Sequence, residues 1–166
     1  MKRILIRLVC FVLCLGLMVA FVSCNSEKPE EENSDIYYVQ YSGVKIALGD
    51  KADGILKSLG DAKSVKELGD CGGLGAQIKY SYSDIDLYTL KTDSGETIDQ
   101  ISFTNDIAST SKNICLGADA DAVISAYGEP TENNGSDMKY ISGNKVLKFK
   151  LSDGIVTAID YMIVSK

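Results

Sequence analysis

The chain has 166 residues, 45% of them hydrophobic, with 17 basic and 23 acidic side chains and a formal net charge of −6. It contains no histidine and no tryptophan, which removes the usual general base near neutral pH and the commonest metal ligand. The length suits one ordinary domain or two small ones, and the acidic balance argues against nucleic acid or an anionic lipid surface as a partner.

The first two dozen residues differ from the rest. Lys2, Arg3 and Arg7 open the chain and no acid accompanies them. An apolar run from about Leu8 to Val22 follows, the n-region and h-region of an export signal. The run is shorter than the ~20 residues a spanning helix needs. It ends in Phe21-Val22-Ser23-Cys24, which resembles the lipobox of bacterial lipoproteins, with Phe21 standing where leucine is usual. The resemblance implies cleavage before Cys24, acylation of that cysteine with palmitate-type chains, and anchoring on the extracytoplasmic face of the cell membrane. The other reading is an uncleaved signal anchor with an incidental cysteine. Residues 1–23 are thus expected to be a lipoprotein signal peptide. Residues 24–35, which are polar and acidic, are expected to be a disordered tether. Loss of the leader's three bases leaves 14 basic against 23 acidic residues, a net charge of −9.

Cys10 and Cys14 leave with the leader, so Cys71 and Cys115 are the cysteines that remain beside Cys24. Outside the cytosol they can pair, closing a loop whose constraint is worth ~4 kcal/mol in the chain-entropy model. The alternative is two buried thiols acting as small hydrophobes.

Ile46–Gly60 can be laid on Ile114–Gly128 without a gap. Ile46, Leu48, Gly49, Ala52, Asp53 and Gly60 coincide with Ile114, Leu116, Gly117, Ala120, Asp121 and Gly128. Each copy reads as a short apolar strand, a Leu-Gly turn, acids that cap a helix start (Asp50 and Asp53; Asp119 and Asp121), apolar residues at helical spacing, and a closing glycine. After each helix come a loop and three strands: Ile78–Tyr82, Ile85–Leu90 and Thr97–Phe103, then Met138–Tyr140, Val146–Leu151 and Ile155–Val164. The expected fold class is α+β, a tandem repeat of two units, each a strand and helix packed on a three-stranded antiparallel meander. Repeat one is expected over residues 36–107 and repeat two over residues 108–166.

Leu116-Gly117, Asp121, Val123-Ile124, Gly128-Glu129-Pro130, Lys139-Tyr140, Asp153-Gly154, Val156 and Ile159 carry a likeness to known proteins. The layout resembles the small SmpA/OmlA outer-membrane lipoproteins and the tandem-repeat β-lactamase inhibitory protein. Over residues 43–164 it is most similar to uncharacterised two-repeat lipoproteins of Gram-positive bacteria. The resemblance implies a repeat fold with protein-binding relatives. No inhibitory contact residue carries over.

Chemistry finds little support in the sequence. Without histidine a Ser-His-Asp arrangement is impossible. Asp119 and Asp121 lack the further oxygen ligands of a calcium loop. The glycine-rich Cys71-Gly72-Gly73-Leu74-Gly75 has no phosphate-binding lysine. No catalytic, cofactor-binding or metal-binding residue is therefore expected. Lining up the repeats sets Tyr88 on Leu147 and Leu90 on Phe149, as core residues. Ile85, Leu87 and Thr89 then fall on the opposite face, as a partner surface or the contact between repeats. The expected function is a membrane-tethered, non-enzymatic protein- or peptide-binding module of the cell envelope, with no cofactor and no nucleic acid. An inhibitor of a secreted hydrolase and a carboxylate-based envelope hydrolase are the alternatives.

Overall fold

A computed structural model describes residues 36–70 and 73–164. The leader, the tether, Cys24 and Cys71 lie outside the described residues, so the expectations placed on them are not addressed by the fold. A hairpin of β1 (Tyr38–Tyr41) and β2 (Val44–Ala47) comes first, then helix α1 (Ala52–Leu59). Four strands follow: β3 (Ser64–Asp70), β4 (Ala76–Ser81), β5 (Ile85–Thr92) and β6 (Gly95–Phe103). Helix α2 (Ala120–Tyr127) leads to β7 (Glu132–Asn133), β8 (Asp137–Ser142), β9 (Lys145–Ser152) and β10 (Ile155–Ile163).

The expected α+β tandem repeat is not what forms. The fold is mostly β, with two antiparallel sheets and, among the described residues, only two eight-residue helices. Strands β3 to β10 make one eight-stranded sheet in the order β3-β4-β5-β6-β10-β9-β8-β7. The seam that joins the meanders is β6 on β10, with Ser102 opposite Asp160 and Ile101 opposite Tyr161. A strand precedes α1, but Ile114 and Cys115 before α2 form none. Segment Ser64–Asp70, which falls in the loop expected after the first helix, is a strand.

The Leu-Gly turns do act as corners. Gly49 and Gly117 both have φ of +88°, a conformation that glycine adopts without a Cβ penalty. Gly49 N–H donates to the Ile98 carbonyl at 2.8 Å and Gly117 N–H to the Val156 carbonyl at 2.8 Å. Each corner is thereby stitched to the last strand of its meander. The helix starts differ from expectation. The N-cap positions are Lys51 and Asp119, and neither side chain makes a capping bond. Asp53 and Asp121 stand in the first turns, where their charge opposes the macrodipole.

One face of the sheet carries the core. Leu87, Ile101, Tyr161, Leu147 and Tyr140 form a continuous row across β5, β6, β10, β9 and β8. Ile46, Leu48, Ala52, Ile55 and Val123 from the hairpin and helices pack into the same cluster. Tyr37 is buried among them, which pushes its phenol up to about 12. The hydroxyls of Ser111, Tyr127 and Tyr161 are buried without a well-formed hydrogen bond. Burial holds the Tyr161 phenol well above its ordinary value, with Tyr127, Thr110 and Ser111 as its polar neighbours.

Candidate functional site

Alternation along the strands puts a second set of side chains on the face opposite the core. Direct cross-strand pairing traces one polar row over all eight strands: Ser64, Ser81, Asp86, Ser102, Asp160, Lys148, Lys139 and Glu132. A neighbouring row runs Lys66, Lys79, Tyr88, Gln100, Met162, Val146 and Ile141. The second row is cationic at one end, aromatic in the middle and aliphatic at the other end, where Val146 is buried and Met162 and Ile141 are half-buried. Both helices pack on the core face, so among the described residues no helix covers these rows.

The polar groups of this face hold one another. Lys79 Nζ lies 2.7 Å from Asp86 Oδ2 and 5.5 Å from the centre of the Tyr88 ring. The hydrogen bond to Asp86 raises the Lys79 pKa against a smaller opposing effect of burial. Gln100 Nε2 donates to Ser102 Oγ at 2.9 Å, and Ser102 Oγ donates to Asp160 Oδ1 at 2.6 Å. A bulge after Tyr88 in the β5–β6 ladder leaves Asp99 as an extra residue on β6. Burial raises its pKa, an effect partly offset by the hydrogen bond that Gln77 Nε2 donates to it at 3.1 Å. At the far edge Lys139 Nζ meets Glu132 Oε2 at 2.7 Å, which raises the lysine pKa. The face therefore presents paired charges, one aromatic ring and an aliphatic strip, the mixture that protein interfaces use.

On the core side the sheet runs out past its cover. Val65 continues the core row beyond Tyr80 but is 59% exposed. Leu56, Lys57, Gly60, Asp61, Ala62, Val65, Tyr80 and Tyr82 line a groove of about 420 Å³ there. Tyr80 OH donates to Glu96 Oε1 at 3.0 Å, and the Thr89 hydroxyl bonds the same oxygen. Burial and that carboxylate push the Tyr80 phenol up to about 12.

The face expected to bind is corrected. Ile85, Leu87 and Thr89 are each fully buried on the core side, and Tyr88 and Leu90 are on the open side. The pairing of Tyr80 with Leu87 and of Tyr140 with Leu147 makes Leu87, not Tyr88, the counterpart of Leu147. Lining up the repeats slipped by one residue, and a slip of one inverts every face assignment on a strand. The open rows were therefore missed, although the alternation of Lys148 and Lys150 with Leu147, Phe149 and Leu151 was a signal for them. The Cys115 thiol is half-buried in the loop before α2. Its expected partner, Cys71, and the lipid-bearing Cys24 lie outside the described residues.

Among the described residues no helix is long and apolar enough to cross a membrane, and no cluster of three or more His, Cys, Asp or Glu side chains could hold a metal ion. Compared with known proteins, the chain matches no family model, no curated sequence and no solved structure.

Proposed function

We propose that this chain is a lipid-anchored extracytoplasmic protein whose sheet holds a protein or peptide partner without catalysis. Anchoring rests on the order of features in the leader: bases, a short apolar run, Phe21-Val22-Ser23-Cys24, then a polar acidic stretch. Binding is supported above all by the polar row that crosses all eight strands on the face that, among the described residues, no helix covers, beside Tyr88, Met162 and Ile141. Acyl chains supply ~0.8 kcal/mol per buried methylene, so two of them make a stable anchor and leave the sheet free to engage a partner.

Growth of cells expressing the full chain with an alkyne fatty acid tests the anchor. The account expects label on the wild-type protein and none on Cys24→Ala, whose leader is expected to stay uncleaved. An unlabelled wild-type protein, or a label that survives Cys24→Ala, would contradict it. Charge reversal of the open row by Lys139→Glu with Lys148→Glu tests binding. It is expected to reduce partner retention on the membrane, and the melting temperature is read beside it because Lys139 pairs with Glu132 and Lys148 lies opposite Asp160.

A further inference from the structure

The two sheet edges are unequal. Strand β7 has two residues, and its Glu132 is tied to Lys139. Strand β3 has seven residues, all exposed, and among the described residues it pairs only with β4. Such an edge offers a row of unpaired backbone N–H and C=O groups to another strand. Its sequence restricts what that strand can be. A bulge between Glu67 and Gly69 ends the regular ladder, so the usable stretch is Ser64-Val65-Lys66-Glu67, with Lys63 just before it, its N–H bonded to the Ser81 carbonyl at 2.8 Å.

We propose that β3 pairs antiparallel with β3 of a second copy of this chain, about a two-fold axis at Val65. Two antiparallel edges related by a two-fold axis keep each side chain on its own face only when the axis passes through a residue or its diagonal equivalent. With Val65 on the axis, Val65 opposes Val65, Ser64 opposes Lys66, and Lys63, just before the strand, opposes Glu67. Opposite charges then meet directly twice and no like charges are directly opposed, the two Lys66 side chains being diagonal neighbours. The neighbouring centres fail this test. Ser64 on the axis sets Glu67 against Asp61, and Lys66 or Glu67 on the axis sets a charge against its own copy. The two exposed Val65 side chains, each beside its own Tyr80 and Leu56 groove, become the apolar centre of the contact. Pairing joins two eight-stranded sheets and makes their open faces continuous. This inference is independent of what that open face binds.

Mild oxidation of the full chain carrying Val65→Cys, in its native membrane, tests the pairing. Directly opposed residues have Cα atoms ~4.5–5.5 Å apart, within disulfide range. The expected result is a covalent homodimer on a non-reducing gel and by intact mass, above the wild-type background. Lys66→Cys, with Ser64 of the other copy opposite, is expected to stay at that background. Adding Lys63→Glu to Val65→Cys is expected to cut the dimer about tenfold, and adding Glu67→Lys as well to restore it. A Val65→Cys chain that stays monomeric would overturn the proposal. So would indifference to the charge changes, or a thiol at position 65 that captures a different polypeptide.

Discussion

The two ends of the eight-stranded sheet use the same local devices and finish in opposite ways. At the β8–β9 end Met138, Tyr140 and Phe149 face the core, and the rings of Tyr127, Tyr140 and Phe149 lie 5.3–6.1 Å apart in one aromatic cluster under α2. At the β4–β5 end the equivalent register positions hold Ile78, Tyr80 and Thr89. A phenylalanine is thus replaced by a threonine whose hydroxyl must be satisfied, and Glu96 supplies the acceptor. At that end Leu56, Lys57, Val65, Tyr80 and Tyr82 line an open groove, and the sheet continues to an exposed edge. The two ends thus differ in how they finish: one in a packed aromatic cluster, the other in a groove and an exposed strand.

The largest effect is expected at the closed end. Phe149→Ala removes the ring that touches both Tyr127 and Tyr140, and denaturant titration should register a loss of about 3–5 kcal/mol. A loss under about 1 kcal/mol would mean the aromatic cluster does not hold this end. Next comes Gly75→Ala at the open end. Gly75 has φ of +126°, and a Cβ there would run into the Lys91 carbonyl. The cost should be about 1–3 kcal/mol, with hydrogen exchange accelerated in β3 and β4 before it changes in β8 and β9.

A matched pair of tyrosines sharpens the contrast. Tyr140 OH donates to the Gly128 carbonyl at 2.8 Å, and Tyr82 OH to the Gly60 carbonyl at 3.4 Å. Tyr140→Phe should cost about 1 kcal/mol, and Tyr82→Phe, longer and more exposed, clearly less. Equal costs would erase the distinction between the ends. The smallest effect is electrostatic. Burial raises the Asp99 pKa, so the folded state binds its proton more tightly than the unfolded chain does. Asp99 therefore favours folding at low pH, and that contribution is lost as pH rises through the folded-state pKa. Asp99→Asn should be slightly more stable than wild type at pH 7, with the gain vanishing below about pH 3.8. A variant less stable at pH 7 would contradict that sign.

The strands around short turns were readable because period-two alternation and the glycines at the corners are local signals. Lys148 and Lys150 against Leu147, Phe149 and Leu151 mark β9 from sequence alone. Three things were not readable. Strand β3 has Lys66, Glu67 and Asp70 and no buried residue, so it carries no hydrophobic period. The face of β5 was ambiguous because Ile85 and Leu87 on one side and Tyr88 and Leu90 on the other are both apolar. The seam between β6 and β10 joins residues 58 apart, such as Ser102 and Asp160, and nothing local announces such a pairing. Without the seam, two separate units were the natural expectation; with it, the open face spans both.

Photo-crosslinking in intact membranes tests most directly whether that face is the one that works. A photoreactive side chain at Gln100 or Lys148, both on the open rows, should capture a discrete partner. The same group at Ser125, exposed on α2, should give no such adduct. Capture from Ser125 with none from Gln100 or Lys148 would place the partner on the helix side and contradict the account.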